Sequence, residues 1–173
     1  MKSAAFVLAL ELIFKLEGGA RVTDDPHDPG GVTKFGISAR SFPELGEEGI
    51  KRLTKEHASN IYKTYYWDKV KGDSLPIDIA ICVFDCAVNQ GPGVAARLLQ
   101  TALDVKVDGD IGVLTIGAAN AAHSDWLLRE FLSLRQLRYV ETTNYLRYGK
   151  GWSNRLFHVC QGATLAKEFV ERL

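Results

Sequence analysis

Cysteine is scarce in this sequence. Its 173 residues include only Cys82, Cys86 and Cys160, and a small odd number of cysteines does not build a disulfide framework. Small disulfide-stapled domains are therefore excluded as a class. Cys82 and Cys86 lie four positions apart in an apolar segment, which predicts two small buried side chains on one helix face. The acidic spacing of DVKVDGD does not fit a calcium-binding loop, and we expect neither a metal nor an organic cofactor.

A net charge and a long apolar run are also missing. Lys plus Arg and Asp plus Glu both number 21, so the basic excess that is typical of nucleic-acid-binding proteins is absent. No stretch approaches the roughly 20 apolar residues of a membrane-spanning helix. Glu11 and Lys15 interrupt the first apolar segment, and no small-residue cleavage site follows it, which is atypical of a signal peptide. We therefore expect synthesis in the cytoplasm, no nucleic-acid partner and no stable membrane association.

Strand-like alternation is nearly absent, and apolar residues recur at helical spacing instead. The sequence predicts a mostly α fold with a loop or small β-hairpin over residues 20–36. The Gly91-Pro92-Gly93 break predicts a boundary between a segment of residues 1–91 and one of residues 92–173. The predicted helices span residues 4–16, 54–69, 77–90, 94–103 and 124–146, and a last helix follows a break at YGKGW, residues 148–152.

Glu17 falls where the first helix is expected to face the core. Phe6, Leu10, Ile13 and position 17 lie within a narrow sector at about 100° per residue. The negative end of the helix dipole and partial burial both favour a protonated carboxyl group there. A carboxyl group that keeps its proton near neutral pH suits a general acid. The alternative interpretation is a side chain that turns outward at a frayed helix end.

The segment after Glu17 combines turn formers with carboxylates. Asp24, Asp25 and Asp28 lie on a proline-stiffened loop, and Thr33 lies just beyond the Gly30-Gly31 pair. Hydrolysis of a glycosidic bond usually needs an acid on the leaving oxygen and a second group near the anomeric carbon. A loop that folds back on the helix end would place one aspartate or Thr33 opposite Glu17. Each aspartate also has a purely structural interpretation, because Asp before Pro is a common turn former.

These residues resemble glycoside hydrolase family 108. EGG at residues 17–19 and DPHDPGGVTKFGIS at residues 25–38 follow that family's Glu-Gly-Gly-Tyr and Asp-Pro-x-Asp-Pro-Gly-Gly-x-Thr-x-x-Gly-Ile pattern. Ala20 departs from it where the family often has Tyr, and the spacer before residue 25 is slightly longer. YKTYYWDKV and FDCAVNQGPGVAARLLQ resemble later segments of the same family. The resemblance implies a lysozyme-like fold, N-acetylmuramidase activity of the phage endolysin type, and Glu17 as the catalytic acid.

The second segment is similar to the small helical peptidoglycan-binding domain that usually accompanies this family. The Asp-Gly-x-Ile-Gly turn at residues 108–112 and the Gly-Trp-x-x-Arg sequence at residues 151–155 carry the likeness. It implies that Trp152 and Arg155 contact the glycan. From residue 126 onwards eight Lys or Arg stand against four Glu, which suits a polymer that bears anionic peptides.

Further candidate sugar contacts lie in the first segment: Asp25, Tyr65, Asp85, Asn89 and Gln90. Asp85 and Asn89 share one helix face. They either line the sugar groove beside Gln90 or cap the end of the helix. Tyr65 offers an aromatic face to a sugar ring, although one or two of the three residues in the Tyr-Tyr-Trp run at 65–67 are expected in the core.

We therefore predict a lysozyme that hydrolyses the β-1,4 bond between N-acetylmuramic acid and N-acetylglucosamine and so lyses a host cell. Glu17 protonates the leaving oxygen, and Asp28 or Thr33 holds the attacking water. A lytic transglycosylase and a non-catalytic wall-binding or secretion-accessory protein are the alternatives. We expect a monomer with peptidoglycan as its partner, which acts at the cell wall or periplasm after a separate membrane-permeabilising protein has given it access.

Overall fold

The structure, a computed structural model, describes residues 2–23 and 31–172. Over these residues the chain is mostly α-helical, with one small antiparallel hairpin after the first helix, and the predicted lysozyme-like fold class is confirmed. The elements are α1 (Ala4–Leu16), β1 (Thr33–Lys34), β2 (Ile37–Ser38), α2 (Gly46–Lys51), α3 (Lys55–Tyr62), α4 (Ile77–Gln90), α5 (Pro92–Ala102), α6 (Val113–Ala121), α7 (Ser124–Val140) and α8 (Tyr145–Glu171).

Helix α1 begins and ends at recognisable signals. The Ser3 side chain caps it by accepting a hydrogen bond from the backbone N–H of Phe6, which satisfies a donor that has no partner inside the helix. The helix ends at Glu17, whose backbone N–H donates to Ile13. Gly18 and Gly19 follow with φ of 79° and 66°, a left-handed conformation that glycine adopts without strain.

Helix α4 lies at the centre of the molecule. Every residue from Asp78 to Ala87 is buried, and α4 packs against α1, α5, α7 and α8. An α-helix that is apolar on all sides is expected to be enclosed by other elements. Cys82 and Cys86 are buried on this helix as predicted, and burial raises the pKa of Cys86 to about 11.

One hydrophobic core contains side chains from both sides of the predicted boundary at residue 91. Phe6 and Phe84 belong to it, and so do Leu99, Phe131 and Val159. Only Gly91 separates α4 from α5. The assignment of residues 1–91 to catalysis and of residues 92–173 to peptidoglycan binding stays a prediction.

The predicted break at YGKGW is wrong. The chain turns at residues 141–144 instead, and α8 then runs for 27 residues through this sequence. Gly149 lies beneath the ring of Tyr145, where an added Cβ would come within 2.7 Å of a ring carbon. The glycines cost helix propensity, but the packing of α8 along α1, α4 and α7 outweighs that cost. The short helices α2 and α6 were not predicted from the sequence.

None of the helices within residues 2–23 and 31–172 combines the length and the apolar character needed to cross a membrane.

Candidate active site

Glu17 lies at the C-terminal end of α1, beneath the tip of the hairpin. Its side chain is 23% exposed, so the carboxylate is largely enclosed but still reaches the surface. A Cβ added to Gly36 would lie 2.7 Å from Cβ of Glu17 and 2.7 Å from the Tyr62 hydroxyl. Only a residue without a side chain allows the hairpin to approach the carboxylate this closely.

The hairpin tip is held against the end of α1 by hydrogen bonds. Phe35 and Gly36 form its turn with φ of 54° and 74°, the two positive values that a type I′ turn requires. The backbone N–H of Phe35 donates to the carbonyl of Gly19 over 3.0 Å, and the Tyr62 hydroxyl donates to the carbonyl of Phe35 over 2.8 Å. The prediction that this segment folds back on the helix end is confirmed for residues 31–38.

The predicted partners of Glu17 on this segment are described only in part. Thr33 lies in β1, where it pairs with Thr23, and its hydroxyl donates to the carbonyl of Gly31 over 3.1 Å. Asp24, Asp25 and Asp28 lie outside the described residues. The catalytic roles of Asp28 and Thr33 and the sugar contact of Asp25 stay predictions.

Arg155 of α8 joins Glu17 to Asp85. Its Nη2 atom lies 2.7 Å from Oε1 of Glu17 and 2.8 Å from Oδ1 of Asp85, and its Nε donates to both Asp85 oxygens over 3.0 and 3.2 Å. Glu17 therefore has a positively charged partner, whereas the sequence pointed only to the helix dipole and to partial burial around it.

A second arginine completes the cluster. Arg135 of α7 is fully buried, and its Nη1 atom lies 2.6 Å from Oδ2 of Asp85. Burial by itself lowers the pKa of Arg135 and of Arg155, but the negative charge of Asp85 outweighs burial and raises both above their usual value. Two carboxylates and two guanidinium groups thus balance inside the protein, as buried charges require.

Neither predicted role, lining the sugar groove or capping the helix end, describes Asp85 and Asn89 together. Asp85 is 0% exposed, so it has no surface with which to contact a sugar, and its partners are arginines rather than the helix end. Asn89 is exposed and accepts a hydrogen bond from the Tyr139 hydroxyl over 2.5 Å. The same hydroxyl accepts a hydrogen bond from Arg135 over 3.1 Å, so an unbroken chain of polar contacts links Glu17 to Asn89.

A pocket opens at the far end of this chain. It encloses about 310 Å³ and is lined by Asn89, Gln90, Arg138, Tyr139, Thr142 and Trp152. The Trp152 ring stacks on Tyr139 at 5.0 Å between ring centroids and 23° between planes. The structure therefore brings Trp152 together with Asn89 and Gln90, which are also predicted sugar contacts but lie about sixty residues earlier in the sequence.

The aromatic residues near position 65 differ in their exposure and in their distance from Glu17. Tyr65 is 49% exposed and packs edge-on against Phe42, so its sugar contact stays a prediction. Trp67 is fully buried in the core. The tyrosines close to Glu17 are Tyr62 and Tyr66. Burial raises the pKa of both side chains, and the negative charge of Glu17 raises it further.

The sequence did not point to Arg135, Arg138, Tyr139 or Gly36, or to the position of Tyr66 close to Glu17. One signal for Arg135 was available. It follows Leu128 and Phe131 on the buried face of α7, and a charged residue on an apolar face needs a partner of opposite charge. Nothing in the sequence spacing identifies that partner as Asp85.

Within the part of the chain that the structure describes, no group of three or more His, Cys, Asp or Glu side chains is arranged to hold a metal ion.

Comparison with known proteins places this helical, lysozyme-like molecule among the glycoside hydrolases. The model of the glycosyl hydrolase 108 family matches residues 10–91. A solved structure described as "Structure of Brucella abortus SagA" is similar, with a TM-score of 0.84 and 32% sequence identity over 94% of this chain and 95% of that chain. No curated protein gave a significant match. The chain belongs to the glycosyl hydrolase 108 family, and the resemblance inferred from its motifs is confirmed.

Proposed function

We propose that this glycoside hydrolase is an N-acetylmuramidase that cleaves the β-1,4 bond between N-acetylmuramic acid and N-acetylglucosamine in peptidoglycan. One observation carries the proposal. Glu17 is a partly exposed carboxyl group that the hairpin tip covers and to which Arg155 of α8 donates a hydrogen bond. Such fixation is what a general acid needs, because proton transfer depends on geometry first. Family membership supports the glycosidase chemistry.

The reaction follows from the chemistry of a glycosidic bond. Glu17 gives its proton to the bridging oxygen, the bond from the anomeric carbon to that oxygen breaks, and the oxygen keeps the electron pair. A water molecule that Asp28 or Thr33 holds then adds to the anomeric carbon and loses a proton to a carboxylate base, for which Asp28 is our candidate. Glu17 is left as a carboxylate beside Arg155, whose charge stabilises it.

The pocket beside Trp152 is our candidate for a sugar subsite. Its ring and the amides of Asn89 and Gln90 combine an apolar face with hydrogen-bonding groups, the combination that ligand sites commonly use. Arg138 lies at its edge and has a charge that complements the acidic peptides of the wall. These features support binding of peptidoglycan by α4, α7 and α8 together.

Replacing Glu17 by Gln tests the proposal. The change keeps size and polarity but removes the proton donor, so we expect cleavage of purified peptidoglycan to fall by ~10²–10⁴-fold. Glu11→Gln is a matched control, because Glu11 lies on the same helix and pairs with Lys55 at the surface. We expect the control to keep wild-type activity. Turnover at the wild-type rate by a folded Glu17→Gln protein would exclude Glu17 as the general acid.

Mass spectrometry of the products separates the proposal from its two alternatives. A muramidase leaves reducing ends formed with water, whereas a lytic transglycosylase leaves anhydro-muramic ends because the sugar's own hydroxyl replaces water. A wall-binding protein without activity would leave the glycan intact. We expect reducing ends only.

The biological setting is part of the same proposal. We infer that the protein is made in the cytoplasm of a host cell, acts as a monomer on peptidoglycan at the wall or periplasm, and lyses the cell. Access would then depend on a separate membrane-permeabilising protein. Expression with and without such a protein tests this: we expect lysis only when both are present, and lysis by this protein alone would contradict it.

A further inference from the structure

Asp85 is shared between two arginines, only one of which contacts Glu17. Its Oδ2 atom lies 2.6 Å from Nη1 of Arg135, and its Oδ1 atom lies 2.8 Å from Nη2 of Arg155. The same Nη2 atom of Arg155 lies 2.7 Å from Glu17. The hydrogen bond of Nη2 goes to Glu17 and those of Nε go to Asp85, so the two carboxylates share the positive charge of one guanidinium group.

This sharing of one positive charge matters because a general acid needs two opposite properties. Before the reaction Glu17 must hold a proton, and a nearby positive charge opposes that form. After proton transfer Glu17 is a carboxylate, and the same positive charge stabilises it. An arginine that contacted Glu17 alone would strongly favour the carboxylate, and little of the protein would carry the proton that the reaction needs.

We propose that Asp85 is a positioning residue that acts through Arg155 and limits how strongly Arg155 holds Glu17 in its ionised form. Asp85 is fully buried, so it cannot touch the substrate itself. The negative charge of Asp85 offsets part of the positive charge of Arg155 while Glu17 carries its proton. Arg155 remains within hydrogen-bonding distance of Glu17 once that proton has left. The proposal rests on the proposed role of Glu17 as the general acid.

The charged and titratable groups that face Glu17 come from three sides of the site. Arg155 comes from α8, Asp85 from α4, and Tyr62 and Tyr66 from α3 and the π-helical turn that follows it. Burial keeps both tyrosines neutral, because it raises their pKa. Among the described residues, Asp85 and Arg155 are therefore the groups that we expect to govern the protonation of Glu17 near neutral pH.

The test is the pH dependence of peptidoglycan cleavage by three variants of the full chain. Arg155→Gln removes the positive charge, so Glu17 keeps its proton to higher pH and the basic limb of the profile should move up by about one pH unit or more. Asp85→Asn removes the competing charge, so Arg155 acts on Glu17 alone and the basic limb should move down. In the double variant the effect of Asp85→Asn should largely disappear, because Asp85 acts through Arg155.

Asp78→Asn is a matched control. Asp78 is also buried on α4 and is paired with a lysine, Lys167, but it lies two helical turns from Asp85. We expect this variant to lose stability without any change in the pH profile. A merely structural role for Asp85 would likewise lower the amount of folded protein without moving the limb.

An unmoved basic limb in Asp85→Asn, or a shift in the same direction as that of Arg155→Gln, would overturn the inference. Should Asp85→Asn fail to fold, an unmoved basic limb in Arg155→Gln would still overturn it, because Asp85 is proposed to act only through Arg155. An active Glu17→Gln protein would instead remove the proposed function, so the two failures are distinguishable.

Discussion

Gly36 shows how a single residue sets the geometry of the site. Its φ is 74°, and an added Cβ would lie 2.7 Å from Cβ of Glu17. Gly36→Ala should therefore destabilise the fold by roughly 1–3 kcal/mol through backbone strain alone. It should also displace Glu17 and lower the activity of the protein that remains folded. Thermal unfolding and kcat on peptidoglycan measure the two effects separately.

Gly46→Ala provides the control for Gly36→Ala. Gly46 also has a positive φ, 60°, but nothing lies within 4 Å of an added Cβ. This variant should show comparable strain and unchanged kcat. If both variants reduce kcat equally, the close approach of Gly36 to Glu17 has no catalytic importance.

Local patterns were enough to single out Glu17 but not its surroundings. The helical stripe, the following glycines and the motif of residues 31–38 are all close to Glu17 in sequence. Arg155 is 138 residues away and Asp85 is 70 residues from Arg155. Such contacts depend on how α4 and α8 pack, and sequence spacing does not contain that information. The expectation of a mainly protonated Glu17 therefore omitted the charge that opposes it.

At the scale of elements, Asp73 ties the start of α1 to the region that precedes α4. It accepts hydrogen bonds from the side chains of Ser3 and Trp67 and pairs with Lys63. Burial alone raises the pKa of Asp73, but these contacts outweigh burial and lower it below the usual value of 3.8. Since Ser3 also caps α1, the contact fixes the beginning of the helix that ends at Glu17.

Asp73→Asn should show this contribution as a dependence of stability on pH. A carboxyl group with a lowered pKa stabilises the fold above its unfolded pKa, and that stabilisation is lost as the pH falls through the folded pKa. The side chain is 47% exposed, so solvent screening limits the loss at neutral pH to the order of 1 kcal/mol. The difference in unfolding free energy between the two proteins should shrink below about pH 4; a difference that stays constant into acid would contradict the assignment.

The helices themselves were predictable wherever caps and breaks are local. Thr54, the first residue of a predicted helix, caps α3 by accepting a hydrogen bond from the backbone N–H of His57, and α4 ends at Gly91. The YGKGW sequence misled because two glycines normally mark the end of a helix. Gly149 instead provides room for the ring of Tyr145 on the same helix, and the length of α8 follows from its packing rather than from its propensity.

At the scale of the whole molecule, the site is assembled across the predicted boundary at residue 91. Glu17 and Asp85 precede it, whereas Arg135 and Arg155 follow it. Wall binding by residues 92–173 is therefore best measured in the full chain. Arg138→Gln should weaken co-sedimentation with peptidoglycan if the pocket beside Trp152 contributes to binding, and Arg172→Gln, an exposed change at the far end of α8, is the matched control.

A chain that ends at Gly91 should neither fold cooperatively nor cleave peptidoglycan. Without residues 92–173, the buried surface of α4 loses its contacts with α5, α7 and α8, and Leu12 of α1 loses its close packing against Gly162. Asp85 would also lose both of its ion-pair partners, Arg135 and Arg155. Thermal unfolding followed by circular dichroism and a cleavage assay would test this. Cooperative unfolding together with the kcat of the full chain would show that residues 1–91 form an independent catalytic domain and that Arg155 is dispensable.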